Sequence, residues 1–458
     1  MKRRNFLGVA AGAAALALAP RVSRPRSLVR TLRVAPAEQS LVGAPHPRTA
    51  VWAYNGTVPG PELRLRQGER LRIEVENALD AGTTVHWHGI RLPNAMDGVP
   101  YLTQPPIAPN GGRFLYEFDL PDAGTYWYHP HLGSPEQVGR GLYGALIVEE
   151  RDPPTVDRDA VWVLSDWRLD RDAKIVEDFR GFMDSSHAGR IGNTVTVNGA
   201  VRESFGVRAG ERIRLRLVNA SNARIVGLGF EGHEPWVIAF DGQPLDPYRP
   251  AGGRVVLGPA QRADLVIDCG GAPGSRHRVV DDFYRQRAYR LLDLVYSSDG
   301  AIRNKPRPVP RLQPNSVPMP DRARAERHRI VFGGGMMGAM PSQREHKGMF
   351  WTVNGIPVRD DDHHHAPLLT LARGRSYVFE LVNDTAWHHP IHLHGHVFTV
   401  LSRDGKPSDR GESGDTVLLD PRTRAEIAFV ADNPGNWMLH CHILEHQAAG
   451  MMANIRVA

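Results

Sequence analysis

The chain has 458 residues, including 46 glycines, 36 prolines and two cysteines. Its 56 basic and 50 acidic side chains give a formal net charge of +6, and the basic residues are scattered along the chain, so no nucleic-acid-binding patch is indicated. The length predicts about three domains, and the many glycines and prolines favour a turn-rich all-β protein over a helical one.

The amino-terminal segment predicts an export signal. Arg3 and Arg4 precede an apolar run from Leu7 to Ala19, which is too short to span a bilayer and is typical of a secretory leader. The paired arginines indicate the Tat export machinery as a partner. We therefore expect residues 1–30 to be a Tat signal peptide and leader, followed by a mature protein in the periplasm or outside the cell, with no membrane span.

Proline-rich stretches divide the rest of the chain. The sequence RDPP at 151–154 reads as a linker, and a Pro- and Arg-rich stretch reads as a longer one before the last domain. The expected parts are a first domain at 31–150, a second at 155–300, a linker at 301–327 and a third domain at 328–458.

A similar pattern occurs once in each predicted domain. An Asn-Gly turn is followed by a glycine and then by an alternating run, such as RIRLRLVN, whose last asparagine lies nine residues after that glycine. Such a run predicts a half-buried strand between two turns, and three copies indicate three related β-sandwiches. The turns are Asn55-Gly56, Asn198-Gly199 and Asn354-Gly355, and the last asparagines are Asn77, Asn219 and Asn383.

Four His-x-His pairs lie in the first and third domains. Residues two apart in an extended chain point to the same face, so each pair offers two imidazoles together. In the last pair the same geometry sends the intervening Cys441 sulfur to the opposite side, so one strand is expected to contact two metal sites. A lone histidine is usually a surface or core residue, but four such pairs indicate metal binding. They are His86 with His88, His129 with His131, His392 with His394, and His440 with His442.

The run HCHILEHQAAGMM at 440–452 is rich in copper ligands. A thiolate, two imidazoles and a weak thioether form the ligand set of a blue-copper electron-transfer site. Cys441, His446 and Met451 supply three of these four groups. The run HPIHLHGH at 389–396 contains candidates for the missing imidazole.

In this order, the motifs resemble those of the multicopper oxidases of the three-domain, laccase-like kind. The resemblance covers nearly all of the chain after the leader and implies three cupredoxin-like Greek-key β-sandwiches, the middle one a copper-free spacer. It implies four copper ions, with three of them at the interface of the outer domains. It also implies an oxidoreductase that couples one-electron oxidation of phenolic or aromatic amine donors to the four-electron reduction of dioxygen to water.

The same resemblance implies a role for each ligand. Electrons are expected to enter at His389 and to pass through Cys441. The implied type 1 ligands are His389, Cys441 and His446 with Met451 axial, the type 2 ligands are His86 and His392, and the type 3 ligands are His88, His129 and His442 on one ion and His131, His394 and His440 on the other.

Proton delivery is expected to involve Asp97, in the loop MDGVP, which matches the acid that relatives place beside the cluster. The alternative is a plain turn aspartate before Gly98. Relatives often carry a glutamate immediately after the second type 1 histidine, where this chain has Gln447, and an amide takes up no proton at neutral pH. The proton route or turnover rate is therefore expected to differ, and Glu445 is not assigned as a substitute.

An axial methionine indicates a low-potential site and easily oxidised donors. These include cuprous ion, for which Met336, Met337 and Met340 form either a thioether landing site or a flexible loop with incidental methionines. One alternative function is therefore a periplasmic cuprous oxidase for copper tolerance. A copper-free structural protein of cell division with the same fold is an alternative of another class, against which the complete ligand set argues.

The remaining candidates are expected to have no role in metal binding. Cys269 is interpreted as a small buried hydrophobic residue, without a disulfide to Cys441. The residues His363 to His365, which follow three aspartates, are interpreted as a solvated loop. We interpret His388 and His396 as bystanders to the neighbouring ligands.

Overall fold

The computed structural model describes residues 30–337, 349–359, 366–408 and 411–458. The predicted leader up to residue 29, Met340 and the run from His363 to His365 lie outside the described residues. Strands dominate the described chain, and no helix within these ranges is long and apolar enough to cross a bilayer.

The first sandwich is formed by two four-stranded sheets, with strand orders β2-β1-β4-β6 and β3-β8-β7-β5. A short helix, α1 (Ser134–Gly139), precedes its last strand. The strands are β1 (Arg30–Gln39), β2 (Thr49–Tyr54), β3 (Leu63–Arg66), β4 (Arg70–Asn77), β5 (His86–His88), β6 (Gly112–Asp119), β7 (Gly124–His129) and β8 (Gly144–Glu149).

The second sandwich pairs a six-stranded sheet, ordered β10-β9-β12-β17-β14-β15, with a five-stranded sheet, ordered β11-β19-β18-β13-β16. It contains helix α2 (Phe182–Ser186). The strands are β9 (Arg158–Trp167), β10 (Thr194–Val197), β11 (Ser204–Val207), β12 (Arg212–Asn219), β13 (Val226–Phe230), β14 (Trp236–Phe240), β15 (Gln243–Tyr248), β16 (Arg254–Leu257), β17 (Arg262–Asp268), β18 (Arg276–Asp281) and β19 (Tyr289–Tyr296).

The third sandwich has one sheet ordered β21-β20-β23-β29-β25-β26, with β27 also paired to β25, and a second ordered β22-β31-β30-β24-β28. It contains helix α3 (Leu444–Ala448). The strands are β20 (Glu326–Gly334), β21 (Trp351–Val353), β22 (Leu369–Leu371), β23 (Ser376–Asp384), β24 (His389–Leu393), β25 (Phe398–Arg403), β26 (Lys406–Pro407), β27 (Ser413–Gly414), β28 (Thr416–Leu419), β29 (Arg424–Val430), β30 (Gly435–Cys441) and β31 (Met452–Val457).

The asparagines that end the alternating runs make the same local hydrogen bonds in all three sandwiches. Each side-chain oxygen accepts the backbone N–H two residues later, as Asn77 does from Leu79 and Asn383 from Thr385. Each side-chain amide donates to a carbonyl four or five residues later. A short polar side chain that bonds its own following turn fixes where the strand ends.

The prediction of a half-buried strand is wrong for the run RIRLRLVN. All eight residues of β12 are buried, including Arg212, Arg214 and Arg216. The arginine face is covered because Arg214 reaches Glu150 of the first sandwich and Arg212 donates to carbonyls of the chain near Pro308. The alternation predicts that the arginine face of β12 is exposed to solvent, but neighbouring parts of the molecule cover it.

The outer sandwiches share one hydrophobic core. A single cluster of buried side chains contains Leu32, Tyr116 and Trp87 of the first sandwich together with Phe379 and Trp437 of the third. A separate cluster fills the middle sandwich. The two ends of the chain are therefore packed against each other, and the His-x-His pairs of both ends lie at this junction.

Candidate metal centres

The histidine pairs lie on adjacent strands of the outer sandwiches. In the first sandwich, His86 on β5 pairs directly with His129 at the end of β7. In the third, His392 on β24 pairs with His440 on β30. Antiparallel pairing of short strands thus brings pairs that are distant in sequence side by side.

Eight buried imidazoles converge between the two outer sandwiches. The Nε2 atom of His440 lies 3.0 Å from that of His394 and 3.4 Å from that of His131. The Nε2 atoms of His442 and His129 are 3.4 Å apart. Three subsets offer ligand atoms within 4.8 Å of one another, namely His86 with His88 and His129, His86 with His392 and His394, and His131 with His394 and His440.

Hydrogen bonds fix the orientation of most of these rings. The Nδ1–H groups of His86 and His394 donate to the Asp97 backbone carbonyl at 2.8 Å and to Asp97 Oδ2 at 2.9 Å, respectively. Those of His129, His392 and His440 donate to backbone carbonyls at 2.8 to 2.9 Å. Such bonds set the tautomer and leave the Nε2 lone pair for a metal, as is usual for histidine ligands.

His88 has the reverse orientation. Its Nε2–H donates to Asp415 Oδ1 at 3.0 Å, so its Nδ1 faces away from that carboxylate. Among the buried side-chain atoms that have no hydrogen-bond partner within the described residues are three imidazole nitrogens of this cluster: His88 Nδ1, His86 Nε2 and His392 Nε2. Orphaned imidazole nitrogens are rare in protein interiors, and a metal ion would satisfy them. His442 is less well fixed, because its Nδ1 is also without a partner there.

Burial favours the neutral form of several of these imidazoles. It lowers the pKa of His88, His129 and His442 well below the ordinary value, and the neighbouring histidines lower it further. The pKa of His394 is lowered well below its ordinary value for the same reasons. Neutral rings carry the lone pair that metal binding requires.

A second group lies on the opposite face of β30. Cys441 Sγ is 3.4 Å from His389 Nδ1 and 3.7 Å from His446 Nδ1, and all three side chains are buried. The outward nitrogens donate from His389 to the Thr385 hydroxyl at 2.7 Å and from His446 to the His187 carbonyl at 2.6 Å. Both Nδ1 lone pairs are therefore directed at the sulfur, as a shared metal ion requires.

Met451 is held beside this group by its backbone. Its carbonyl accepts from Cys441 N at 3.1 Å, its N–H donates to the His446 carbonyl at 3.0 Å, and its side chain is buried. Burial raises the pKa of the Cys441 thiol and lowers that of His446 to about 3. The thiol is therefore protonated in the metal-free protein, and a metal has to displace that proton.

His389 and His446 are inaccessible from solvent. Trp351 packs edge-to-face against His389 and in a tilted arrangement against His446, with centroid distances of 5.1 Å and 4.2 Å. Its indole N–H donates to the Ser185 carbonyl. The middle sandwich therefore covers this centre through α2 and the adjoining His187, so the interpretation of that sandwich as a mere spacer is wrong.

Two carboxylates and one amide are buried near the clusters, and each has different neighbours. Asp97 is buried against both His86 and His394. Glu445 accepts hydrogen bonds from Asn222 and from the backbone of Arg190, both in the middle sandwich, and burial raises its pKa. Gln447 is buried, and neither polar atom of its amide has a partner within the described residues.

His388, His396 and Cys269 belong to neither group of candidate ligands. His396 is buried but donates to the His394 carbonyl, and half-buried His388 lies near Asp420. Cys269 belongs to the separate core of the middle sandwich. Both cysteines are free thiols.

Sequence reasoning missed Asp415 and Arg262. Asp415 precedes β28 and contacts His88 and His392, while Arg262 forms an ion pair with Asp415 at 2.6 Å. No local motif marks either residue, because their proximity arises only when the three sandwiches pack together.

Sequence profiles of multicopper oxidase domains match residues 37–153, 158–287 and 339–458, which together span most of the chain. The chain belongs to the multicopper oxidase family. Multicopper oxidase MmcO of Mycobacterium tuberculosis is 31% identical over 97% of this chain and 91% of its own length. The crystal structure of a multi-copper oxidase from Pseudomonas thermotolerans has a TM-score of 0.84 and 38% identity, covering 94% of this chain and 99% of that one.

More distant members of the multicopper oxidase family carry different functional names. Laccase-1 of Fomitopsis schrenkii is 29% identical over 92% of this chain and 85% of its own length. A structure described as a metallo-oxidase from Campylobacter jejuni is 26% identical, with a TM-score of 0.78 and coverage of 93% of this chain and 90% of that one. The predictions of three cupredoxin-like domains and of an oxidoreductase that uses oxygen are confirmed.

Proposed function

We propose that the chain is a four-copper, laccase-like oxidase that oxidises phenols and aromatic amines with dioxygen. The observation that carries this proposal is the position of Cys441 between His440 and His442, with the sulfur facing one buried ligand group and the imidazoles facing another. When bound, the copper ions would take electrons singly from donors and pass four of them to dioxygen, which takes up four protons from the solvent and gives two waters.

The buried groups would hold these ions as the family resemblance implies. His389, Cys441 and His446 with Met451 would hold the type 1 ion. The proposed type 2 ligands are His86 and His392, and the proposed type 3 ligands are His88, His129 and His442 for one ion and His131, His394 and His440 for the other.

The protein itself orients ligands, excludes water and holds protons. Asp97 keeps His86 and His394 in the tautomer that frees their Nε2 atoms. We propose that the Asp97 carboxylate also relays protons, because it lies in contact with the cluster histidines. The segment from His440 to His442 provides a short covalent path between the two ligand groups.

An electron from an outside donor has to pass the residues that cover the type 1 group. Among the described residues, His446 donates to the His187 carbonyl, and half-buried His187 packs on Trp387 with a centroid distance of 5.2 Å. We therefore propose that donors dock over His187 and Trp387 rather than directly on His389. An aromatic donor would stack on these rings.

One observation favours cuprous ion as a second donor. Met183 and Met337 are 62% and 71% exposed, and the segments that carry them are hydrogen-bonded to each other through Met336 N and the Ser186 carbonyl. Exposed thioethers are soft ligands that suit cuprous ion. Replacing both with leucine should lower the rate for cuprous ion about 10-fold or more while leaving phenol oxidation within about 2-fold.

The central test is copper loading of the purified protein. Four ions per chain, an intense blue absorption from the thiolate bond and oxygen uptake with a phenol are the expected results. Comparing phenol and cuprous ion in the same oxygen-electrode assay ranks the two donors. A copper-loaded protein that is colourless and consumes no oxygen with either donor would refute the proposal, and it would favour a structural role.

From the sequence, the expected boundaries are 31–150, 155–300 and 328–458, with a linker at 301–327. We propose to begin the third domain at 326 instead, because β20 of the third sandwich already starts at Glu326.

We also propose export by the Tat machinery to the periplasm. The pair Arg3 and Arg4 ahead of the apolar run supports the route. Replacing both arginines with lysine should leave the protein in the cytoplasm. Unchanged export of that variant would exclude the Tat route.

A further inference from the structure

Arg262, at the start of β17 in the middle sandwich, is wholly buried and holds a carboxylate of the third sandwich. Its Nη1 and Nη2 groups donate to the two oxygens of Asp415 at 2.9 Å and 2.6 Å. This two-point pairing fixes the plane of the carboxylate as well as its position. Lysine, a single point charge, cannot reproduce it.

Asp415 in turn contacts two of the cluster histidines. Its Oδ1 accepts from His88 Nε2 at 3.0 Å, and its backbone carbonyl accepts from His392 Nδ1 at 2.8 Å. His88 belongs to the first sandwich and His392 to the third. One aspartate therefore sets the ring orientation of one proposed type 3 ligand and one proposed type 2 ligand.

Arg262 is itself fixed by groups from two sandwiches. Its Nε donates to the Thr125 carbonyl of the first sandwich at 3.2 Å. Asp241 of the middle sandwich accepts its backbone N–H at 2.9 Å and forms an ion pair with its Nη1 at 3.2 Å. The guanidinium therefore contacts all three sandwiches through Thr125, Asp241 and Asp415.

The backbone next to His88 leaves space for this ion pair. Gly89 follows His88 with a φ of 88°, and a Cβ atom there would overlap both the Arg262 guanidinium and the Asp415 carboxylate. A glycine is therefore required by its conformation and by the close approach of the pair. A glycine of the first sandwich therefore leaves the space that an arginine of the second sandwich occupies.

We propose that Arg262 is a positioning residue for the three-copper cluster, so that a complete cluster forms only when the middle sandwich is docked. The proposal rests on the copper centre proposed above. It predicts that loss of Arg262 frees Asp415 to rotate or to turn toward a cluster ligand. The type 1 group, on the other face of β30, has no contact with this ion pair and should be unaffected.

Arg216 provides a matched control. It is also a buried arginine of the middle sandwich, and it contacts Asp159, Asp264 and the Thr125 hydroxyl of the first sandwich. None of these partners contacts a cluster histidine among the hydrogen bonds of the described residues. Arg216 contacts the Thr125 hydroxyl, whereas Arg262 donates to the Thr125 carbonyl, which remains in an Arg216 variant. Loss of Arg216 therefore removes a buried interdomain charge but no direct contact to the aspartate that orients the cluster histidines.

The experiment compares the wild type with Arg262→Met, Arg262→Lys and Arg216→Met after copper loading. Copper content, the blue absorption and the type 2 electron paramagnetic resonance signal are measured, together with thermal unfolding of the copper-free proteins. For Arg262→Met we expect the blue absorption of the wild type, a lost or altered type 2 signal and about 10- to 100-fold weaker copper binding at the cluster. Arg262→Lys should show a smaller change of the same kind, and Arg216→Met should match the wild type in both signals.

Two results would overturn the inference: a wild-type type 2 signal in Arg262→Met, or equal loss of both signals in Arg262→Met and Arg216→Met. If Arg262→Met does not fold, Arg262→Lys decides, and a type 2 signal identical to that of the wild type would contradict the positioning role. Failure of the wild type itself to bind copper would instead refute the proposed function.

Discussion

Asp97 of the first sandwich accepts a hydrogen bond from His394 of the third sandwich at 2.9 Å. Asp415 of the third sandwich makes the corresponding bond with His88 of the first at 3.0 Å. Each outer sandwich therefore supplies a carboxylate that orients a histidine of the other. The orientation of the clustered histidines depends on the docking of the outer sandwiches and not only on the His-x-His strands.

Replacing Asp97 separates ligand orientation from proton transfer. Asp97→Asn retains an oxygen that accepts from His394 but cannot carry a proton, so copper content should stay at the wild-type value while kcat falls about 10²-fold. Asp97→Ala loses both functions and should also bind copper about 10- to 100-fold more weakly. Oxygen uptake and copper content measure the two effects. Wild-type kcat in Asp97→Asn would exclude a proton relay at this residue.

Replacing Cys441 with serine tests the separation of the two ligand groups. The variant should lose the blue absorption and donor oxidation, because a hydroxyl is a poor ligand for the type 1 ion. His440 and His442 remain, so the type 2 signal should persist. Absorption and electron paramagnetic resonance spectra provide the measurement. Loss of both signals in a folded protein would show that the sulfur also supports the cluster.

The copper-free protein should lose stability as the solution becomes acidic. Burial lowers the pKa of seven ligand histidines, so the unfolded chain binds more protons than the folded one below about pH 6.5. Their contribution is complete above that pH and is lost as the pH falls toward the folded pKa, which is about 3 for His446. The seven are His88, His129, His389, His392, His394, His442 and His446.

Thermal unfolding of this copper-free protein at successive pH values provides the check. Each histidine can contribute up to about 1.4 kcal/mol per pH unit, so the midpoint should fall steeply between about pH 6 and pH 4. The copper-loaded protein should fall less over the range in which the ligands keep their metal. A copper-free midpoint that is constant over this range would contradict the buried, neutral state of the rings.

Changing Gln447 to glutamate should restore a titratable group beside His446. The amide is buried without a hydrogen-bond partner in the described residues, so it contributes no fixed contact there. We expect kcat for a phenol to rise about 10-fold at neutral pH, at some cost in stability from burying a carboxyl group. Gln447→Met, which has a similar size and no proton to exchange, is the control. Equal kcat values in all three proteins would place the proton route elsewhere.

Local sequence is enough to predict which histidine and cysteine side chains come together and where the strands end. The alternation of His440, Cys441 and His442 determines which faces they occupy in any extended strand, and Asn77 and its counterparts bond to their own turns. The long-range contacts were not predictable in this way. Arg214 on β12 looks like a solvent-facing residue until Glu150 of the preceding sandwich covers it. The Arg262–Asp415 pair is not predictable for the same reason, because its two residues meet only when the sandwiches pack together.

The solvent accessibility of His389 is also not predictable from local sequence. The motif predicts a ligand, but its accessibility depends on Trp351 and on α2 of the middle sandwich, which are remote in sequence. Direct electron entry at His389 stays a prediction from the motif, and the route that we propose instead uses the hydrogen bond from His446 to the His187 carbonyl.

The common core of the outer sandwiches has a consequence for synthesis of the chain. Leu32 and Trp87 leave the ribosome well before Phe379 and Trp437, which complete the same apolar cluster. The nascent first sandwich therefore keeps part of its future interior exposed until translation is nearly finished, and truncated chains should aggregate rather than persist as stable fragments.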